Sequence, residues 1–217
     1  MPAQPETAAW RRYALLCRHP DLDLAQFSRH YERHHGPLAA SLPGFRKFTW
    51  RYVQNHVEPL PDGTEPRFHG VSMSSQVPRA DLRRGFFDEP DYQKIKPDEL
   101  YLFDMRRTIS VLGTEGKPRG GPATRWKALL LSTTGLPSDC ALPGLMRRVR
   151  NQLDTASASA LGFGASNFAF DNLFELWFET EAARDAAFRN VSAGGNDVSL
   201  PFLLPVREVM VLGPDHP

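Results

Sequence analysis

A glycine- and proline-rich stretch near the middle of the chain, Gly113 to Thr124 (GTEGKPRGGPAT), limits what the sequence can fold into more than any other feature. It holds four glycines and two prolines and shows no hydrophobic periodicity. Glycine frees the backbone and proline removes a hydrogen-bond donor, so the stretch reads as a connection between elements. It divides the 217 residues into two runs, each the length of a small domain. The same order of elements can be read on both sides of it, and a repeated order is a stronger signal than any single element.

In the first run, Arg12 to Arg18 (RYALLCR) reads as a short strand. Asp21 and Asp23 then offer N-cap chemistry. Leu24, Phe27, Tyr31, His34 or His35, and Leu38 recur at helical spacing, and Gly36-Pro37 stops or kinks that helix. Phe45 to Val57 alternates as a half-buried strand, with Phe48, Trp50 and Tyr52 on one face. Phe68 to Val77 returns as a strand, Pro78 to Phe87 reads as a short helix, a Pro- and Asp-rich loop follows, and Arg107 to Leu112 closes the unit. In the second run, Trp126 to Ser132 reads as a strand, and Leu142 to Ala156 as a helix with Leu145, Val149 and Leu153 on one stripe. Ala165 to Phe170 and Phe174 to Phe178 read as a hairpin around Asp171-Asn172. Thr180 to Asn190 reads as a helix and Arg207 to Leu212 as a last strand.

Each run is thus expected to be a ferredoxin-like β-α-β-β-α-β unit, whose open sheet face needs a partner. The expected architecture is α+β: two tandem units, over residues 10–113 and 125–213 with a linker at 114–124, forming an intramolecular dimeric α+β barrel. Cavities are expected between each sheet and its own helices.

The 26 basic and 25 acidic residues nearly cancel, which gives no electrostatic footprint for nucleic acid or an anionic membrane. So small a net charge leaves room for a homodimer. Only two cysteines are present, Cys17 and Cys140, too few for a disulfide framework. The N-terminus lacks the apolar core of a secretory signal, and no apolar stretch has the length of a membrane helix. A cytoplasmic protein is expected.

Residues 19 to 57 carry a recognisable pattern. HPDLDLAQFSRHYERHHGPLAASLPGF resembles the opening of EthD-family domains, with Pro20, Leu22, Phe27, Tyr31, His35, Pro37, Leu38, Pro43 and Gly44 in the family's places. His30 stands where the family often has Tyr, and Tyr31 where it often has Trp. YVQNHV (Tyr52 to Val57) is similar to the family's second strand, though it sits a few residues further along. LYLFDMRRTISVL (Leu100 to Leu112) resembles its closing strand, with Asp104 and Arg107. The resemblance covers roughly residues 10 to 115. The second run has no His-x-Pro, and it reads as a degenerate copy kept for structure.

His35 is the first candidate for chemistry, as a general acid or base with a pKa near neutrality. The alternative is a core histidine satisfied by a backbone carbonyl. His56 is the second, as an acid–base partner facing His35 across the cavity or as an end-of-strand histidine. Tyr31, Phe48, Trp50 and Tyr52 could line a substrate pocket or simply be core. Asp104 could orient a histidine or pair with Arg107. His30 and His34 have metal-ligand spacing, i and i+4, but no third ligand stands at informative spacing, so they read as a solvated face and no metal is expected. Arg147, Arg148 and Arg150 read as a solvated cationic face. No dinucleotide fingerprint, Walker loop or GxSxG elbow is present.

The resemblance implies a cofactor-independent enzyme acting on a small, largely apolar, aromatic or polyketide-like carbonyl compound. The reaction would be a histidine-mediated proton transfer of dehydratase, lyase or isomerase type, with cofactorless oxygenation as a further option. The alternative is a non-catalytic binding or accessory protein for a hydrophobic small molecule. A haem-binding variant is set aside, because the second run's only histidine is His216, in the tail.

Overall fold

The structure is a computed structural model, and it describes residues 10–76, 85–136, 142–160, 164–165, 168–192 and 201–213. The chain starts with β1 (Trp10–Leu16) and a helix α1 made of three segments, Leu24–His30, Tyr31–His35 and Gly36–Ser41. Helix α2 (Pro43–Phe48), β2 (Thr49–Val57), β3 (Gly70–Gln76), a single turn at Phe86–Asp88, α3 (Tyr92–Leu102) and β4 (Ile109–Glu115) follow. The second half holds β5 (Arg119–Gly120), β6 (Trp126–Ser132), β7 (Leu145–Ala160), β8 (Gly164–Ala165), β9 (Asn172–Phe178), α4 (Glu181–Ser192) and β10 (Phe202–Leu212).

The strands pair in the order β4-β1-β3-β2-β10-β6-β9-β7, and β7 returns to pair with β4. Every pairing is antiparallel, so the result is one closed eight-strand barrel without a free edge on that circuit. This overturns the expected pair of ferredoxin-like units closed as a dimeric α+β barrel. The decisive element is β7. Residues 145 to 160 run as one long strand bridging β9 and β4, where a helix over Leu142 to Ala156 was expected. Leu145, Val149 and Leu153 are four apart, a spacing that falls on one face of a helix and also on one face of a strand. Their neighbours Asn151, Thr155, Ser157 and Ser159 are poor helix formers, and Asn151 is fully buried, which only the strand reading explains.

Two further differences lie in the first half. Phe45 to Phe48 belong to α2 rather than to the strand, which begins at Thr49. The segment after Phe87, read as a loop for its proline and aspartates, contains the eleven-residue helix α3 with Pro97 inside it. Most of the expected helix over Pro78 to Phe87 lies outside the described residues, as do Cys140 and His216. The linker stretch contributes its first residues to β4 and Arg119–Gly120 to β5, which pairs with β7. Gly113 permits the closing seam, since a Cβ there would stand 2.5 Å from the Gln152 carbonyl oxygen of β7.

Strand alternation sorts the side chains into two compartments. Inside the barrel lie Tyr13, Leu15, Val53, Val57, Val71, Met73, Val111, Leu129, Leu131, Leu153, Leu173, Leu204 and Val206. The same inward faces carry a buried ionic network. Lys127 Nζ donates to Glu175 at 2.7 Å, and Arg11 Nη1 reaches Glu175 at 3.2 Å. Burial raises the Glu175 carboxyl, but Lys127 and then Arg11 outweigh that and hold it at about 2. Outside the barrel, α1, α2 and α3 cover the first half and α4 covers the second. Among the described residues no helix is long and apolar enough to cross a membrane.

Candidate functional site

Helix α1 is set by its cap. Asp23 Oδ1 accepts from the Gln26 backbone N–H at 2.7 Å, and the Gln26 side chain accepts from the Asp23 N–H at 2.9 Å, a complete capping box. The helix then widens into a π turn at Tyr31–His35, immediately before Gly36-Pro37. The Gly36 N–H closes that turn on the Tyr31 carbonyl, Pro37 has no N–H to continue it, and the Gln54 side chain of β2 donates to the same Tyr31 oxygen at 2.8 Å. The expected interruption at Gly36-Pro37 therefore takes the form of a π turn, and that turn carries His34 and His35.

A cavity of about 80 Å³ lies under this helix, against the outer face of the sheet. That is room for several waters or one compact organic group, at roughly 10–15 Å³ for each water. Its floor is made by Arg12, Ala14 and Leu16 of β1, Tyr52 of β2, Ser72, Ser74 and Gln76 of β3, and Ser110 of β4. Its roof is made by Tyr31, His35 and Ala39 of α1, Phe45 of α2, Phe86 and Phe87, and Ile95, Glu99 and Phe103 from α3 and its end.

His35 is 6% exposed, and its Nδ1 lies 2.8 Å from Asp98 Oδ2 on α3. Phe103 and Tyr31 pack against its ring at 5.1 and 5.7 Å between centroids. An Nδ1–H donated to the carboxylate leaves Nε2 as the free basic nitrogen, and the packed rings fix its orientation. Glu99, the next residue, is buried in the cavity wall and accepts from the Tyr92 hydroxyl at 2.7 Å. Burial raises its carboxyl above the ordinary range, more than Tyr92 and His35 lower it. Arg12 donates Nη1 to Ser110 Oγ at 2.9 Å and lies 5.0 Å over the Phe87 ring. Burial brings its pKa down to about 10, and among the described residues no carboxylate pairs with it. The cavity thus joins an oriented imidazole, a carboxyl that favours its protonated form and a cation that has no carboxylate partner among the described residues.

The two tyrosines add hydroxyls. Tyr52 receives a bond from Gln54 Nε2 at 3.2 Å, and burial pushes its pKa up to about 12. The Tyr31 hydroxyl is shut off from solvent and faces Tyr52 and Ser72 without a well-formed hydrogen bond of its own. Burial keeps it protonated well above the usual phenol range.

Residues 19–106 are similar to the EthD domain. The family model of that description matches this span, which contains α1, α2, β2, β3 and α3 with every roof residue of the cavity. The match fixes no reaction. No curated protein matches the chain. Two solved structures align with most of its length. One is a candidate monooxygenase from Lactobacillus acidophilus NCFM, 7% identical with a TM-score of 0.47, covering 95% of this chain and 97% of that one. The other is a candidate monooxygenase from Fusobacterium nucleatum subsp. nucleatum ATCC 25586, 8% identical with a TM-score of 0.49, covering 94% of each. Neither likeness bears on the chemistry.

Of the residues singled out in the sequence, His35, Tyr31 and Tyr52 line the cavity together. His56 does not line it. Its ring packs on Tyr31 at 5.0 Å, its Nδ1 meets Ser28 Oγ at 2.8 Å and its Nε2 meets Gln54 Oε1 at 3.3 Å. Burial, then the charge of Arg207, lowers its pKa to about 4, so it is neutral near pH 7. Phe48 is buried in the cluster under α2, and Trp50 is 48% exposed on the surface. Asp104 closes a turn by accepting from the backbone N–H groups of Arg106 and Arg107 at 3.1 and 3.3 Å. The sequence reading missed Asp98, Glu99 and Arg12. The first two were legible only as an Ile95–Leu102 stripe, masked by Pro97. Arg12 was read as a strand residue with no reason to face inward or outward.

Proposed function

We propose that the EthD-domain cavity is the active site of a cofactor-independent enzyme that moves a proton next to the carbonyl of a small, largely apolar compound. The observation that carries this reading is the His35–Asp98 contact at the wall of a cavity that also holds Glu99 and Arg12. His35 Nε2 takes the proton from the carbon beside the carbonyl, and Asp98 stabilises the imidazolium that results. The electron pair left behind moves onto the carbonyl oxygen, where Arg12 and the tyrosine hydroxyls meet the developing charge. In a β-hydroxy compound the electrons then return to form the C=C bond. The C–O bond breaks, and the departing hydroxyl takes a proton from Glu99 and leaves as water. In an isomerisation the proton is returned to another carbon. The aromatic roof of Tyr31, Phe45, Phe86, Phe87 and Phe103 suits an aromatic or polyketide-like ring.

The test is a titration with β-hydroxy aryl ketones, following product by absorbance and mass in the wild type, His35→Gln, Glu99→Gln and Arg12→Gln. Wild type is expected to bind and convert at least one of them. His35→Gln is expected to bind it and convert it about 10²–10⁴-fold more slowly, the usual contribution of a positioned base. Equal binding by wild type and His35→Gln with no conversion by either would overturn the reading and leave a binding protein for a hydrophobic small molecule.

A further inference from the structure

Asp98 has a second face. Its Oδ2 is taken by His35 from the cavity side, and its Oδ1 points outward to two imidazoles of α1. His30 Nε2 lies 2.5 Å from that oxygen and His34 Nε2 lies 3.5 Å from it. The two histidine rings sit 4.7 Å apart at 49°, and one ligand atom from each of the three residues falls within 4.8 Å of the others. The i, i+4 histidine pair was visible in the sequence without a third ligand. The fold brings that ligand from α3, which the sequence reading had as a loop.

The arrangement has the features of a metal site. Two imidazole nitrogens and a carboxylate oxygen form a donor set suited to borderline divalent ions, with zinc as the type case. Asp98 is 8% exposed and His30 27%, so two ligands are held by packing, while His34, at 61%, leaves an open side where water can complete a tetrahedron. The second oxygen of the carboxylate is already fixed by His35, the kind of outer hydrogen bond that orients a metal ligand. A modest shift of the His30 ring away from Asp98 makes room for bonds of about 2.0–2.2 Å.

We propose that His30, His34 and Asp98 form a binding site for one divalent transition-metal ion of the zinc class, one carboxylate away from His35. The site stands apart from the reaction proposed above. It can be present whether or not the cavity is catalytic.

Cobalt(II) is the probe, because its visible absorption reports both binding and geometry. The purified full chain is titrated with Co²⁺ and then with Zn²⁺ and Mg²⁺, for wild type, His34→Ala and His19→Ala. His34 is exposed, so His34→Ala is expected to melt like wild type without metal. His19 is a partly exposed histidine beside Asp21 and serves as the control. Wild type is expected to take up one Co²⁺ with a tetrahedral-type band that Zn²⁺ removes and Mg²⁺ does not. Affinity is expected to fall at least about tenfold in His34→Ala, as for lesser disturbances of metal sites, and to be unchanged in His19→Ala. Absence of the band together with no zinc-induced rise in Tm, or equal affinity in wild type and His34→Ala, would overturn the proposal.

Discussion

The two helix-covered walls of the barrel are built from the same kind of strand face and end in opposite states. Under α4, the outward positions of β6, β9 and β10 are Ala128, Leu130, Phe174, Leu176, Phe178 and Leu203, and Ala187, Phe188 and Val191 of the helix fill the space between them. Under α1 and α3, the outward positions of β1, β3 and β4 include Ala14, Ser72, Ser74 and Ser110, side chains too short to reach the roof. The wall under α4 is packed and the other is hollow, although Phe174 and Leu136 at the edge of the packed wall also border an open cleft lined by Lys117, Arg119, Arg148 and Arg150. The hollow one also carries the titratable groups: His35, Asp98 and Glu99 on the helices, with Arg12 on the sheet. The difference teaches that in this fold a site can arise where short strand residues such as Ala14, Ser72, Ser74 and Ser110 lie beneath a helix held at a fixed height above them. That height is held here by Phe27 and Leu102, which pack beside the cavity, and by Tyr31 and Phe103 in its roof.

The comparison can be broken from either side. The largest effect belongs to the packed wall. Phe178 is fully buried, and Phe178→Ala is expected to lower the unfolding free energy by about 3–5 kcal/mol, the usual loss for a deeply buried phenylalanine. Denaturant unfolding measures it, and a loss below about 1 kcal/mol would mean that this wall is not the rigid one.

Next comes acid sensitivity, which belongs to the hollow wall. His56 has a folded pKa of about 4 against an ordinary value of 6.5. A group that is harder to protonate when folded costs nothing above its unfolded pKa, and it destabilises the fold as pH falls from 6.5 toward 4. The full loss is about 3 kcal/mol by linkage. Stability measured between pH 7.5 and pH 4.5 is expected to fall more steeply in wild type than in His56→Asn. Parallel curves would show that His56 is not buried neutral behind Tyr31.

The smallest effect is on the cavity itself. Ser74→Leu places added methylenes in existing space, so stability is expected to stay within about 1 kcal/mol of wild type while ligand binding is lost. Thermal melting and ligand titration read the two outcomes. A large destabilisation would mean that the space is not available to a ligand.

How much of this could be read in the sequence depends on which spacings were ambiguous. The start of α1 was legible as N-cap chemistry at Asp21 or Asp23, and the capping box with Gln26 selects Asp23. His35 was legible through its family pattern, and Tyr31 and Tyr52 through periodicity. The barrel was not legible, because leucines and valines four apart satisfy both helix and strand at β7, and only pairing with β4 and β9 decides between them. Nor was α3, since Pro97 and the surrounding charges lower local helix propensity, and packing of Ile95 and Leu102 restores the helix. The partners of His35 were hidden with it: Asp98 and Glu99 gain meaning only when α3 lies beside α1.

The most direct test of the central claim is exchange of a carbonyl-adjacent proton into deuterated water, followed by NMR on a bound aryl ketone that has no group to eliminate. Exchange needs only the base, so it isolates His35 from the later steps. Catalysed exchange in wild type that falls about 10²–10⁴-fold in His35→Gln, with binding retained, is the predicted result. Exchange that proceeds equally in both proteins, or a bound ketone that does not exchange in wild type, would contradict the account.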